Sequence, residues 1–220
     1  MKNIIPENPP FKLLNILYKK EFILLMVLLS IIFINSNITP YFLDLYNLID
    51  STFLFSEKAI IALTMTFVII ARQIDLSVAS IIAVSSCVLG YTTSLGYDTW
   101  LVISLTLLSG ALCGAFNGAI ITKFAIPSII VTIGTMSLFR GLAYSFLEDS
   151  YYNKFPKLVS NLGGGYLFGY IPYAFLTFII LAIIFAFILH KTSVGKKIYS
   201  IGNNPDAAQY TGIAVDKYTF

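Results

Sequence analysis

Few side chains in this sequence could do chemistry, and most of them stand in apolar company. Asp75 and Ser77 occur in Ile74-Asp75-Leu76-Ser77-Val78-Ala79-Ser80, and Asn117 in Gly114-Ala115-Phe116-Asn117-Gly118. Thr132 and Thr135 belong to a run that opens at Ile126-Pro127-Ser128, a helix start with proline in its first turn. An amide at membrane depth needs a partner, so Asn117 makes either an interhelical hydrogen bond or a polar contact along a pathway. Asp75 is placed either to cap the helix that follows it, accepting from orphan amides, or to stand at a gate. No nucleophile–base pair and no metal-ligand cluster is present, and Ser193-Val194-Gly195-Lys196 lacks the upstream glycine of a phosphate loop. The expectation is a chain with no catalytic residue and no metal.

Two spacings point to contact rather than catalysis. Gly110, Gly114 and Gly118 recur every four residues, which puts them on one stripe of a helix. Small residues so placed let helices approach closely in lipid, so the stripe reads as helix packing. The second spacing is "GNNPDAAQYTGI", Gly202 to Ile213, near the end of an otherwise apolar chain. Asn204 fits a helix N-cap, Pro205 the first helical position, Asp206 the positive end and Gly212 the terminator. About two turns of helix are too few to stand alone in water. The segment is therefore either an ordinary structured loop or a piece held by another protein, with Ala207 and Ala208 as its smooth side. Trp at 208 is expected to block such docking without touching any span.

The elements that must carry these residues are membrane spans. Only 11% of the 220 residues are charged, against about a quarter in a soluble domain, so water cannot be the solvent for most of the surface. A bilayer needs about 20 apolar residues per helix, and six segments qualify: 17–35, 55–71, 76–96, 100–122, 127–147 and 171–189. The fold class expected is an all-α polytopic membrane protein, one domain over 1–220. The first span follows a late-starting apolar run without a small-x-small cleavage site, so it reads as retained. With the N-terminus inside, Lys2, Lys12, Lys19, Lys20, Arg72, Lys123, Lys191, Lys196, Lys197 and Lys217 fall on the inner side. Only Lys58, Lys154 and Lys157 fall outside, and that asymmetry places the N-terminus and residues 190–216 in the cytoplasm. Arg140 sits in the outer part of the fifth span, either snorkelling or pairing along a pathway. Cys87 and Cys113 read as small buried hydrophobes.

Glu57 and Asp75 are expected at span boundaries, leaving no carboxylate near a span centre. Ion-coupled transporters keep such groups at membrane depth, so any uphill movement here would draw its energy from another polypeptide. Hydrophobicity rises again at Tyr218-Thr219-Phe220, as in a truncated chain or the first part of a split one.

At this point a resemblance becomes specific. Thr192 to Val215, "TSVGKKIYSIGNNPDAAQYTGIAV", resembles the cytoplasmic coupling loop of ABC-type sugar importer permeases of the ribose/xylose/arabinose kind. "IDLSVAS" (Ile74 to Ser80) is similar to that family's signature after the second span, and "GAFNGAIITKFAIPSIIVTIGTMSLFRGLA" (Gly114 to Ala143) to its central segment. Ala71-Arg72-Gln73 departs from the glycine-rich residues that many members carry there, and members continue with further spans. The resemblance implies a bundle like that of type II ABC importers in the bacterial cytoplasmic membrane. It implies a loop helix that docks on an ATPase through Asn204, Pro205, Asp206, Ala207, Ala208 and Gly212. It further implies a second permease copy or paralogue, an external sugar-binding protein, and ATP and Mg held by the partner ATPase alone; nucleic acid is not a partner. Asn117, Thr132 and Thr135 would then line the path of a monosaccharide, since amides and hydroxyls exchange hydrogen bonds with a neutral sugar. An ATP-independent channel or facilitator, and a degenerate fragment with an assembly role, remain open on the residues alone.

Overall fold

The computed structural model describes residues 20–147 and 151–220. The start of the first span at 17, the inner-side lysines Lys2, Lys12 and Lys19, and Glu148, which opens the longest connection, lie outside the described residues. The chain divides between Ser51 and Thr52 into two compact units. In the first, α1 (Lys20–Ile38) is apolar along its length and buries no residue against the protein. Its serines and asparagines bond back to the helix's own carbonyls. Ser30 Oγ donates to Met26 O at 2.8 Å and Asn35 Nδ2 to Ile31 O at 2.8 Å, each meeting a carbonyl one turn back in the same helix.

α2 (Leu45–Ile70) runs across the division, and the second unit continues with α3 (Val78–Ser94), α4 (Thr99–Phe124), α5 (Ser128–Leu147) and α7 (Tyr173–Lys191). Between α5 and α7 lie α6 (Lys157–Gly164) and a minimal hairpin, β1 (Tyr166–Leu167) and β2 (Ile171–Pro172). After α7 come α8 (Ser193–Asn203), α9 (Pro205–Tyr210) and α10 (Val215–Thr219). Among the described residues, α1, α2, α4, α5 and α7 are long and apolar enough to cross a membrane, and the fold is all-α.

The expected third span, 76–96, is shorter than the others. α3 has 17 residues, about 26 Å at 1.5 Å per residue against a hydrocarbon core of about 30 Å. Residues Gln73–Ser77 run into it without helix. The reason is packing: α3 lies against both α4 and α5, so protein replaces lipid around it. Val84 and Cys87 of α3 meet Phe139 and Ala143 of α5 in the core, and Gly110 of α4 comes so close that a Cβ there would stand 3.1 Å from Ser85 Oγ.

A second difference concerns Glu57. It lies inside α2, thirteen residues before Ile70, about 20 Å from the inner end. The helix starts ten residues earlier than the apolar run because Leu45, Tyr46 and Leu48 extend it past the polar stretch. Glu57 and Lys58 are both exposed on its surface.

α2 ends sharply. Arg72 takes a left-handed backbone, φ 59°, while Gln73 N donates to Val68 O at 2.9 Å and Arg72 N to Ile69 O at 3.0 Å. This is a Schellman end with arginine where glycine is usual. Arg72→Gly is expected to raise stability by about 1 kcal/mol, the cost of a left-handed non-glycine residue. Thermal unfolding of the two forms in detergent checks it.

Candidate functional site

The unwound segment between α2 and α3 is the place to begin, because its peptide groups have no helical partners of their own and must find others. The first two turns of α5 supply the partners. Ser128 Oγ accepts from Ile74 N at 3.0 Å, and Thr132 Oγ1 donates to Ile74 O at 3.2 Å as well as to Ser128 O at 2.8 Å. Thr135 Oγ1 lies 3.5 Å from Thr132 O. Thr132 and Thr135 are thus buried with their hydroxyl hydrogens directed to backbone carbonyls. Pro127 precedes α5, so Ser128 and Thr132, four residues apart on one face, stand nearest the unwound segment.

A second set of bonds crosses to α4. Asp75 Oδ1 accepts from Ser77 N at 2.7 Å and from Ser77 Oγ at 2.6 Å. Asn117 Nδ2 donates to Ser77 Oγ at 2.8 Å. Asp75 therefore holds the turn just ahead of α3, while the N-cap residue Ser77 makes no capping bond with its own side chain. Ser77 is fully buried and Asn117 is 4% exposed. Asn117 Oδ1 accepts from no group among the described residues.

These residues surround a cavity of about 270 Å³ whose walls include Asp75, Gly114, Asn117, Ser128, Thr132 and Tyr218. Asp75 also borders a groove of about 480 Å³ that reaches Glu57 along α2 and α3. Thr135 does not line the cavity. The glycine stripe proves to be divided among three surroundings: Gly110 meets α3, Gly114 faces the cavity, and Gly118 lies under the carbonyl of Phe220. Only the first meets a neighbouring span.

The loop after α7 is built against the same end. Thr192 caps α8 by accepting from Gly195 N at 3.3 Å, and Gly195, Ile198 and Ile201 form its buried face. Gly202 on that face touches the end of α2; a Cβ there would fall on the Ile70 carbonyl. Lys197 Nζ donates to Tyr218 Oη at 2.8 Å and lies 5.2 Å from the ring centre, which ties α8 to α10. Asn204 caps α9, accepting from Ala207 N at 3.1 Å, with Pro205 in the first turn. Gly212 closes α9 with φ 85°, and Ile213 N reaches back to Ala208 O at 3.1 Å.

The two alanines part company. Ala208 is 4% exposed, turned inward where α9 packs on α8 and α10, so it is not on the smooth outer side expected of the pair. The outward face consists of Asp206, Ala207, Gln209 and Tyr210, the last 92% exposed. A helix of six residues can stay folded only by burying one side, and Ala208 is the residue small enough for that side. Ser128, Lys197, Gly202 and Tyr218 were not among the expected site residues. Gly195 and Gly202 carried a signal, seven apart and so on one helical face.

The family described as branched-chain amino acid transport system / permease component matches residues 47–220. The chain is 34% identical to the ribose import permease protein RbsC of Haemophilus influenzae, over 90% of this chain and 62% of that protein. It is 34% identical to the autoinducer 2 import system permease protein LsrD of Klebsiella pneumoniae, over 89% and 60% respectively. To LsrC of Escherichia coli it is 32% identical over 71% and 46%. The chain spans about three fifths of the length of the first two. No solved structure matches it.

Proposed function

The chain belongs to the branched-chain amino acid transport system / permease component family, and on that footing we propose that it is a membrane-spanning subunit of an ATP-driven sugar importer. It is a multi-pass protein of the bacterial inner membrane, a location consistent with its apolar helices and its relatives. In this reading a separate ATPase chain holds ATP and Mg, a second permease copy or paralogue completes the bundle, and an external binding protein delivers the solute. The solute is a small neutral sugar, on the strength of relatives named for ribose and autoinducer 2 import.

One observation carries the reading: α9 is fixed on one side and free on the other. Its inner side, at Ala208, is locked into α8 and α10, and α8 in turn abuts Ile70 at the end of α2. A push on Ala207 or Tyr210 therefore reaches the unwound segment at Gln73–Ser77, and through Ile74 and Ser77 it reaches α5 and α4. This is what a chain without its own motor needs: a handle in the cytoplasm joined through packed backbone to the polar junction among the spans.

The test is topological and physical at once. Gln209→Cys should react with a membrane-impermeant maleimide in inverted vesicles but not in intact cells. It should also cross-link to a co-expressed ATPase. Labelling in intact cells would put the handle on the wrong side and end the proposal.

A further inference from the structure

The hydrogens in the Asp75–Ser77–Asn117 chain can run in only one direction. A carboxylate accepts and does not donate, whereas a serine hydroxyl has one hydrogen and an amide has both a donor and an acceptor end. Ser77 gives its hydrogen to Asp75 at 2.6 Å. It can then only accept from Asn117, so the amide nitrogen must face Ser77, as it does at 2.8 Å. The amide oxygen is what remains. It is buried, on a residue of the cavity wall, with no donor among the described residues. An unmet acceptor in such a place is unfavourable by an amount comparable to a hydrogen bond, and a ligand that donates to it removes that penalty.

We propose that the 270 Å³ cavity behind Asp75 is a binding site for a neutral polyhydroxy solute, which donates one hydroxyl hydrogen to Asn117 Oδ1. This deepens the sugar-import reading and rests on it. The volume lies just under the range of drug-sized pockets, which suits a single-ring solute. The wall offers Asp75 as a second acceptor and Ser128 and Thr132 as hydroxyls, with Phe67, Val68 and Ile121 as apolar surface for a ring face. Oδ1 is shielded in this conformation, so the solute engages it as the walls part, and binding favours the opened state. Asp75 is a positioning residue here. It fixes the direction of the hydrogens, and Ser77 transmits that direction to the amide.

The experiment uses the whole importer complex in lipid nanodiscs, without the binding protein, and measures direct binding of D-ribose and of its singly deoxygenated analogues. Asn117→Ala should weaken D-ribose binding about five- to tenfold, the effect of one hydrogen bond to a buried acceptor. It should also abolish the preference for D-ribose over the one analogue that lacks the engaged hydroxyl. Asn117→Leu keeps the approximate size of the side chain but has no carbonyl oxygen to accept a hydroxyl hydrogen, and the same preference is lost. Wild-type binding with no change in preference in either variant overturns the site while leaving the import reading intact. A wild-type complex that binds no sugar overturns both. Thermal unfolding of each variant accompanies the binding curves. If Asn117→Ala does not fold, Asn117→Leu alone decides, since retained preference in that variant is contrary to the proposal.

Discussion

Ala207→Trp is expected to cut solute uptake by about tenfold or more, the effect of a 1–3 kcal/mol clash at a packed contact, with unchanged amounts of protein in the membrane. Ala207 is exposed on α9, so its replacement alters what α9 can meet and not how the chain folds. Ala208→Trp should behave differently. That residue is 4% exposed, and a large ring there overfills a closed contact, at a cost of about 1–3 kcal/mol. The variant should lose thermal stability and abundance along with uptake. Uptake assays with quantitative immunoblots separate the two. Normal uptake by Ala207→Trp would remove the outward face of α9 from any coupling role.

The second large effect is at Gly202. Its Cβ would land on the Ile70 carbonyl, and backbone at a helix end cannot step aside as a flexible side chain can. Gly202→Ala should therefore be nearly as damaging as Gly202→Val, with a loss of about 3 kcal/mol or more as α8 is forced from α2. Gly134 supplies the contrast. Nothing lies within 4 Å of a Cβ at that position in α5, so Gly134→Ala should gain about 0.5–1 kcal/mol from helix propensity. Melting curves for the three variants decide it: a Gly202→Ala protein that melts with the wild type would mean that α8 does not press on α2.

What the sequence disclosed was whatever depends on neighbours in the chain. The caps of α9 at Asn204 and Gly212, and the start of α5 after Pro127, follow from residues one to four apart, and these stand where local rules put them. Apolar length located the spans for the same reason. The Asp75–Ser77–Asn117 chain could not be read in this way, because its two halves lie 40 residues apart and only packing of α3 on α4 joins them. Thr132 and Thr135 have the composition of pathway residues, yet the hydroxyl of Thr132 serves the Ile74 carbonyl at the break before α3 and that of Thr135 faces the Thr132 carbonyl within α5. Ala207 and Ala208 look alike in sequence, and a rotation of one residue about the helix axis separates an open face from a closed one. Glu57 was misplaced because an apolar window measures lipid-facing length, whereas α2 continues beyond it.

α2 and α7 meet through rings: Phe55 with Phe175 and Phe178 at 6.1 and 6.2 Å, and Phe67 with Phe185 at 5.1 Å. Edge-to-face aromatic contacts are worth about 0.5–1.5 kcal/mol each beyond the area they bury, and these three include no hydrogen bond. α3, α4 and α5, by contrast, are joined by directional bonds and by the close contact of Gly110 with the Ser85 side chain. α8 presses on both partners of the looser pair, on α2 at Ile70 and on α7 at the Gly195 corner. The bundle thus has a stiff keel and a greased seam, and the crank is mounted on the seam.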